Sequence, residues 1–155
     1  MELKTKRTVQ APVEMVFQEF SNFVWFESVA LSRGLDIERT DALLDVQEGI
    51  SWHLSGRIRG KQRDVDINVT KYNPPRATGF RCESKAIDSQ IDIRFTPDGP
   101  ARTKVKIIIA PTAKNISARL MLQSVKLAQK TIEKRISSRM KDFCASIEKK
   151  YASKS

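Results

Sequence analysis

From Asn115 to about Tyr151 the chain contains no glycine or proline, and a stretch of some 37 residues free of helix breakers predicts one long α-helix. Pro111 and Thr112 supply the stop before it. Met121, Val125, Ala128, Ile132, Ile136, Met140, Phe143, Ile147 and Tyr151 recur at spacings of three and four, so they form one apolar stripe. A helix of that length with a single apolar face needs a broad surface to lie on.

Most of the remaining chain has the alternation of strands. Leu3, Thr5, Arg7 and Val9 share one side of a first strand. APVEMVFQEF then opens on a proline, with Val13, Val16, Phe17 and Phe20 at helical spacing, and a second short helix follows Ser21. ISWHLSGRI places Ile50, Trp52, Leu54, Gly56 and Ile58 on one face and His53 on the other. RDVDINVTKY turns Val65, Ile67 and Val69 inward, ATGFRCES turns Phe80 and Cys82 inward, and SQIDIRF does the same with Ile91, Ile93 and Phe95. Asn73–Pro75 and Pro97–Pro100 mark turns, and TKVKIIIAP closes the series with Val105, Ile107 and Ile109 on the core side. Strands joined by short turns form an antiparallel meander, whose apolar face the long helix would cover. At 155 residues and 40% hydrophobic content, the chain suits one core: a single domain over 1–151 with a frayed tail at 152–155.

The charge is concentrated in the helix. Residues 114–155 hold 11 basic and 3 acidic side chains, a balance of +8 out of a total of +10. Arg119, Lys126, Lys130, Lys134 and Lys141 fall within an arc of about 80° opposite the apolar stripe, and this basic surface should face water. Three readings stay open for it: a solvated face, attraction to an anionic membrane surface or an acidic protein, and nucleic acid. No aromatic residues interleave with the cations for base stacking, which argues against the last. Ile116, Leu120 and Leu127 would give the stripe an apolar edge.

Two cysteines 62 positions apart and one histidine leave no cysteine or Cys/His metal constellation, and no cofactor is expected. Reduced thiols, the absence of a secretory h-region and the absence of an apolar run of membrane-spanning length make the cytoplasm the default location. His53 points away from the sheet's apolar face and has no identifiable catalytic partner. Asp64, Asp66, Asp88 and Asp92 share the outer face, where carboxylates should be exposed and unperturbed.

The order strand, two short helices, six-strand meander and long C-terminal helix resembles the START-like, or SRPBCC, superfamily. VQAPVEMVFQEFSNFVWFESV looks like its first strand and two helices, and HLSGRIRGKQRDVDINVTKYNPPRATGF like its hairpin and proline-containing link. The resemblance implies an α+β helix-grip fold, with a curved antiparallel sheet of about seven strands around the C-terminal helix. It also implies a cavity for lipids, quinones, polyketides or other apolar molecules, without choosing among the family's cyclase-like, coenzyme Q-binding, membrane-recruiting and chaperone-activating branches.

The inward residues Trp52, Leu54, Ile67, Val69, Phe80, Ile91, Ile93, Phe95, Met121 and Val125 could line that cavity or simply fill a core, since both use apolar side chains. Trp25 and Phe26, at the end of the second helix, are candidates for the mouth or for ordinary helix-to-sheet packing. Arg139 falls by phase among Ile132, Ile136 and Phe143, where a buried cation needs an anion. That anion would be a ligand carboxylate or phosphate, or an internal Asp or Glu. Non-covalent binding of a hydrophobic or amphipathic small molecule, between the sheet and residues 115–143, is the function expected. The alternatives are a cyclase- or hydrolase-type enzyme using the same cavity and an interaction module acting through the basic helix.

Overall fold

The computed structural model describes residues 1–154. One seven-stranded antiparallel sheet holds β1 (Leu3–Val9), β2 (Asp36–Arg39), β3 (Ser51–Ile58), β4 (Lys61–Asn73), β5 (Ala77–Glu83), β6 (Ile87–Pro97) and β7 (Thr103–Ala113). Its strand order is β1-β7-β6-β5-β4-β3-β2. The strands from β2 to β7 thus form the expected meander, and β1 returns to pair with the last of them. β1 and β2 are the edges. Between them in sequence lie α1 (Val13–Phe20) and α2 (Phe23–Ser32), while α3 (Ile116–Leu127) and α4 (Gln129–Lys154) follow β7.

Local chemistry accounts for most of these boundaries. Pro12 precedes α1, and the Asn22 and Asn115 side chains accept the Trp25 and Ala118 N–H groups at the starts of α2 and α3. β3 and β4 turn through Arg59 and Gly60, both at positive φ, as a two-residue hairpin loop requires. At Gly56 a Cβ would lie 2.6 Å from Leu35 Cδ2, so the missing side chain lets the α2–β2 turn close on β3.

Four expectations need correction here. The long helix breaks at Ala128, whose φ of −98° and ψ of 15° end α3. The basic stripe is therefore split, with Arg119 and Lys126 on α3 and Lys130, Lys134 and Lys141 on α4; all five are exposed. Pro111 is not a stop but part of β7, paired with Ser89; β1 begins, at Leu3, opposite Ile109, so Pro111 removes no donor from a filled ladder. β2, the first strand of the six-strand meander, is the one that alternation does not locate, because it has only four residues. Residues 152–154, expected in the tail, belong to α4, and Ser155 lies outside the described residues.

The core divides in two. The larger part joins β1, α1, β6, β7 and α4 through Val9, Val16, Phe17, Phe95, Val105 and Ile147. Phe17 and Phe20 meet the Phe95 ring edge-on at centroid distances of 5.2 and 5.4 Å, contacts worth about 0.5–1.5 kcal/mol each beyond burial. The smaller part is Phe23, Ile50, Trp52 and Val69, under the start of α2. Space between the two parts is only partly filled.

Candidate functional site

A cavity of about 300 Å³ occupies that space. Phe20 of α1 and Phe23, Phe26 and Glu27 of α2 roof it; Ile37, Trp52, Ile67, Phe80, Cys82, Ile91 and Ile93 of the sheet form its floor and sides. Strand alternation explains the floor. Trp52 opposes Ile67, Ile67 opposes Cys82, and Phe80 opposes Ile91 across successive strands, so these side chains share one face. Phe23 stands edge-on to Trp52 at 5.2 Å and to Phe80 at 5.9 Å, closing one end. Glu27, half-buried, is the one charged residue among those lining it.

A second, larger hollow of about 660 Å³ lies outside the first. It shares Phe20, Phe26 and Ile93 with the inner cavity and adds Trp25 and Val29 of α2 and Ile136, Met140 and Phe143 of α4. Phe143 meets Phe20, Trp25 and Phe26 at ring distances of 4.8, 5.5 and 5.9 Å. This aromatic ridge stands at the border that the two spaces share. Arg33, Arg139 and Asp142 stand around the outer hollow.

The expected lining residues are therefore distributed over several environments. Phe26, Trp52, Ile67, Phe80, Ile91 and Ile93 line the inner cavity, while Trp25, Phe26, Ile93 and Arg139 line the outer hollow. Trp25 and Phe26 sit near the start of α2 rather than at its end, and both are exposed. Val69 and Phe95 are buried in the two cores, and Leu54 is half-buried beyond the cavity. Met121, 44% exposed, and Val125 are on α3 and reach neither space. The inner cavity is bounded by α1 and α2, and α4 lines only the outer hollow; an unbroken helix over the whole sheet would have placed residues 115–143 above both. Arg139 is exposed rather than buried, because α4 packs through Met140, Cys144 and Ile147 and leaves Arg139 at the rim.

Phe20, Phe23, Glu27 and Ile37 are lining residues that the sequence reading does not single out. Phe20 and Phe23 carry a detectable signal, helical spacing and an aromatic run beside a turn. Ile37 carries none, because its strand has four residues. A register shift between Val69 and Lys71 also turns Tyr72 inward, where its ring lies 5.4 Å from Phe17.

Polar groups gather elsewhere. On the outer sheet face His53 Nδ1 lies 2.7 Å from Asp66 Oδ1, and Nε2 lies 3.2 Å from Asp64 Oδ1. Hydrogen bonding to these carboxylates raises the imidazole pKa above its ordinary value. Asp88 departs from the expectation for that face: the Lys114 ammonium 2.9 Å away holds its pKa below the usual carboxylate range. Behind Trp52, Asp41 takes a two-pronged hydrogen bond from Arg39 at 2.6 and 2.7 Å and accepts the Leu43 and Ser51 N–H groups. Those bonds push the Asp41 pKa down and hold the guanidinium 5.9 Å from the Trp52 ring centre. Trp52 Nε1 is buried with no hydrogen-bond partner among the described residues, a local cost of roughly 1–3 kcal/mol. Burial raises the thiol pKa of Cys82, and pushes that of Cys144 up to about 11. Among the described residues no group of three His, Cys, Asp or Glu side chains is placed to hold a metal ion, and no helix is long and apolar enough to cross a membrane.

No protein-family model matches the chain, and no curated protein matches its sequence. Solved structures do. A protein of Thermus thermophilus superposes with a TM-score of 0.67 at 15% identity, covering 95% of this chain and 97% of its own. The Zhui aromatase/cyclase of a Streptomyces species gives 0.66 at 13% identity over 96% and 93%. A START superfamily protein of Mycobacterium smegmatis gives 0.57 at 13% identity over 88% and 97%. The chain has the START-like, helix-grip α+β fold. At these identities the likeness is one of fold, and the site is defined by this chain's own residues.

Proposed function

We propose that this protein binds a hydrophobic or amphipathic small molecule without covalent chemistry, its apolar body in the inner cavity and its polar end in the outer hollow. The observation that carries this reading is the inner cavity itself. It is about 300 Å³ in size, at the lower end of ordinary ligand sites, and bounded by five aromatic and four isoleucine side chains. Were such a space dry and closed, the scaling of about 24 cal/mol per Å³ would set its cost near 7 kcal/mol, an upper limit for this open-ended one. A side chain that filled it would remove that cost, so an unfilled hollow at this position favours a binding role. The aromatase/cyclase and START superfamily proteins of the same fold support a small-molecule partner by analogy of fold alone.

Arg139 and Arg33 favour an amphipathic ligand over a wholly apolar one. Each stands at the outer hollow without an ion pair among the described residues, available to a carboxylate or phosphate. A cyclase- or hydrolase-type reaction would draw on Glu27 and Cys82, the polar groups of the inner wall. Native mass spectrometry of protein purified from cells, followed by melting curves with fatty acids, quinone analogues and flat aromatic compounds, tests the reading. A co-purifying apolar molecule, or a saturable rise in Tm, supports binding. A broad apolar library that leaves both Tm and Trp52 emission unchanged removes it, and turnover lost in Glu27→Gln would move the reading to an enzyme.

A further inference from the structure

The face that α3 turns to solvent is apolar. At 100° per residue, Ala118, Leu122 and Val125 lie on one side of this helix, the side that packs toward the sheet. Ile116, Leu120 and Leu127 lie within about 40° of one another on the opposite side by the same geometry. They are 77%, 59% and 92% exposed. One exposed leucine is ordinary on any protein surface, but three apolar residues aligned on one helix face form a patch.

The charge around this patch is mainly positive, Glu133 being the one acid at the hollow that Lys126, Leu127 and Lys130 border. Arg119 and Lys126 flank it on the same side of α3, about 60° to 80° away. Across the break at Ala128, Lys130 lies with Lys126 and Leu127 around one surface hollow. From Asn115 to Ile132 the sequence contains no Asp or Glu. Glu133, the first acid, accepts the Lys4 backbone N–H at 2.7 Å, and Asp88 is engaged by Lys114 and Arg81. Among the described residues none of Arg119, Lys126 or Lys130 has an ion pair.

We infer that α3 docks the protein on an anionic lipid bilayer, Ile116, Leu120 and Leu127 entering the boundary between headgroups and acyl chains and Arg119, Lys126 and Lys130 meeting lipid phosphates. An amphipathic helix with an apolar outer face and a basic flank has the chemistry of an interfacial anchor. The break at Ala128 serves this geometry, since it lets α3 follow a course of its own while α4 stays packed on the core. The inference stands apart from the ligand reading, because neither hollow contains a residue of α3.

Cosedimentation tests it, with vesicles of phosphatidylcholine alone and with about 30 mol% phosphatidylserine, where each cation near the surface contributes about fivefold in partition coefficient. Three cations then give about a hundredfold preference for the anionic vesicles, falling as salt rises. Leu120→Asn with Leu127→Asn should cut binding by about a hundredfold, and Lys126→Gln with Lys130→Gln by about 25-fold, with Tm unchanged because all four side chains are exposed. Lys141→Gln, on α4, should bind as the parent does. No binding to anionic vesicles at low salt overturns the inference. So does full binding by the leucine variant, loss in Lys141→Gln equal to that in the lysine pair, or tighter binding to duplex DNA or an acidic protein than to vesicles.

Discussion

Ile67→Trp tests the cavity most directly. Ile67 is half-buried on β4, opposite Trp52 on one side and Cys82 on the other, and its side chain borders the inner cavity. An indole there adds about 60 Å³ where space is free, and at about 24 cal/mol per Å³ this restores roughly 1.5 kcal/mol. A chain of this length gains about 2–4 °C in Tm per kcal/mol, so the unliganded variant should melt about 3–6 °C higher than the parent. A ligand at a hundred times its Kd stabilises the parent by about 2.7 kcal/mol, a shift of roughly 5–10 °C. In the variant that shift should fall, since the indole takes about a fifth of the roughly 300 Å³ proposed for the ligand's apolar body. Differential scanning fluorimetry with and without ligand reads both numbers. Overpacking of a closed core would instead cost about 1–3 kcal/mol. A variant that melts lower than the parent shows that the hollow is not free space, and one that keeps the full ligand shift shows that the ligand does not occupy the space beside Ile67.

The other predictions concern ionisable groups. The raised pKa of His53 means that its contribution to stability is fully present below about pH 6.5 and is lost as pH rises through the folded value; NMR titration of this single histidine should give a midpoint above its ordinary value, and Asp66→Asn should lower it. His53→Ala should leave ligand binding intact, because the ring is on the outer face. Asp41 titrates lower in the folded protein than in the unfolded chain, so its stabilisation is present above about pH 3.8 and lost as pH falls; Asp41→Asn should lower Tm at pH 7 and flatten its decline in acid. Both thiols should react slowly with a disulfide reagent at about pH 7.5, and a cavity ligand should slow Cys82 further without affecting Cys144.

The sheet is legible in the sequence because each of its long strands has one wet and one dry face, and period-two alternation records that directly. The same rule places Trp52, Ile67, Phe80, Ile91 and Ile93 around a common space. It fails where the backbone departs from the period: the bulge before Lys71 reverses Tyr72, and four-residue β2 is too short to show a pattern. The long-helix reading fails for another reason. Leu127, Ala128 and Gln129 carry no breaker, and the apolar spacing continues through them, so the bend at Ala128 comes from tertiary packing. α3 packs beside β7 while α4 packs along β1 and α1. Arg139 is misplaced by the same reading, because phase along an ideal helix gives direction but not how far the sheet extends beneath it.

That extent explains why the cavity lies under α2. Three contacts tie α4 to the first strand and its ends: Gln129 Nε2 donates to Glu2 O at 2.9 Å, Lys4 N–H to Glu133 and Gln10 N–H to Glu148, both at 2.7 Å. They pin the helix over the β1–β7–β6 side, where Val9, Phe95, Val105 and Ile147 pack closely. The other half of the sheet, β5 to β2, is left to α2, a helix of ten residues that buries only Phe23. Val24, Trp25, Phe26 and Leu31 remain exposed on it. A short helix with one buried anchor cannot fill the concave face of four strands, and the space it leaves is the inner cavity. The aromatic ridge of Phe20, Phe26 and Phe143 stands where the two covers meet. The division of the core and the position of the binding space thus follow from the same cause, a long helix fastened to one edge of the sheet.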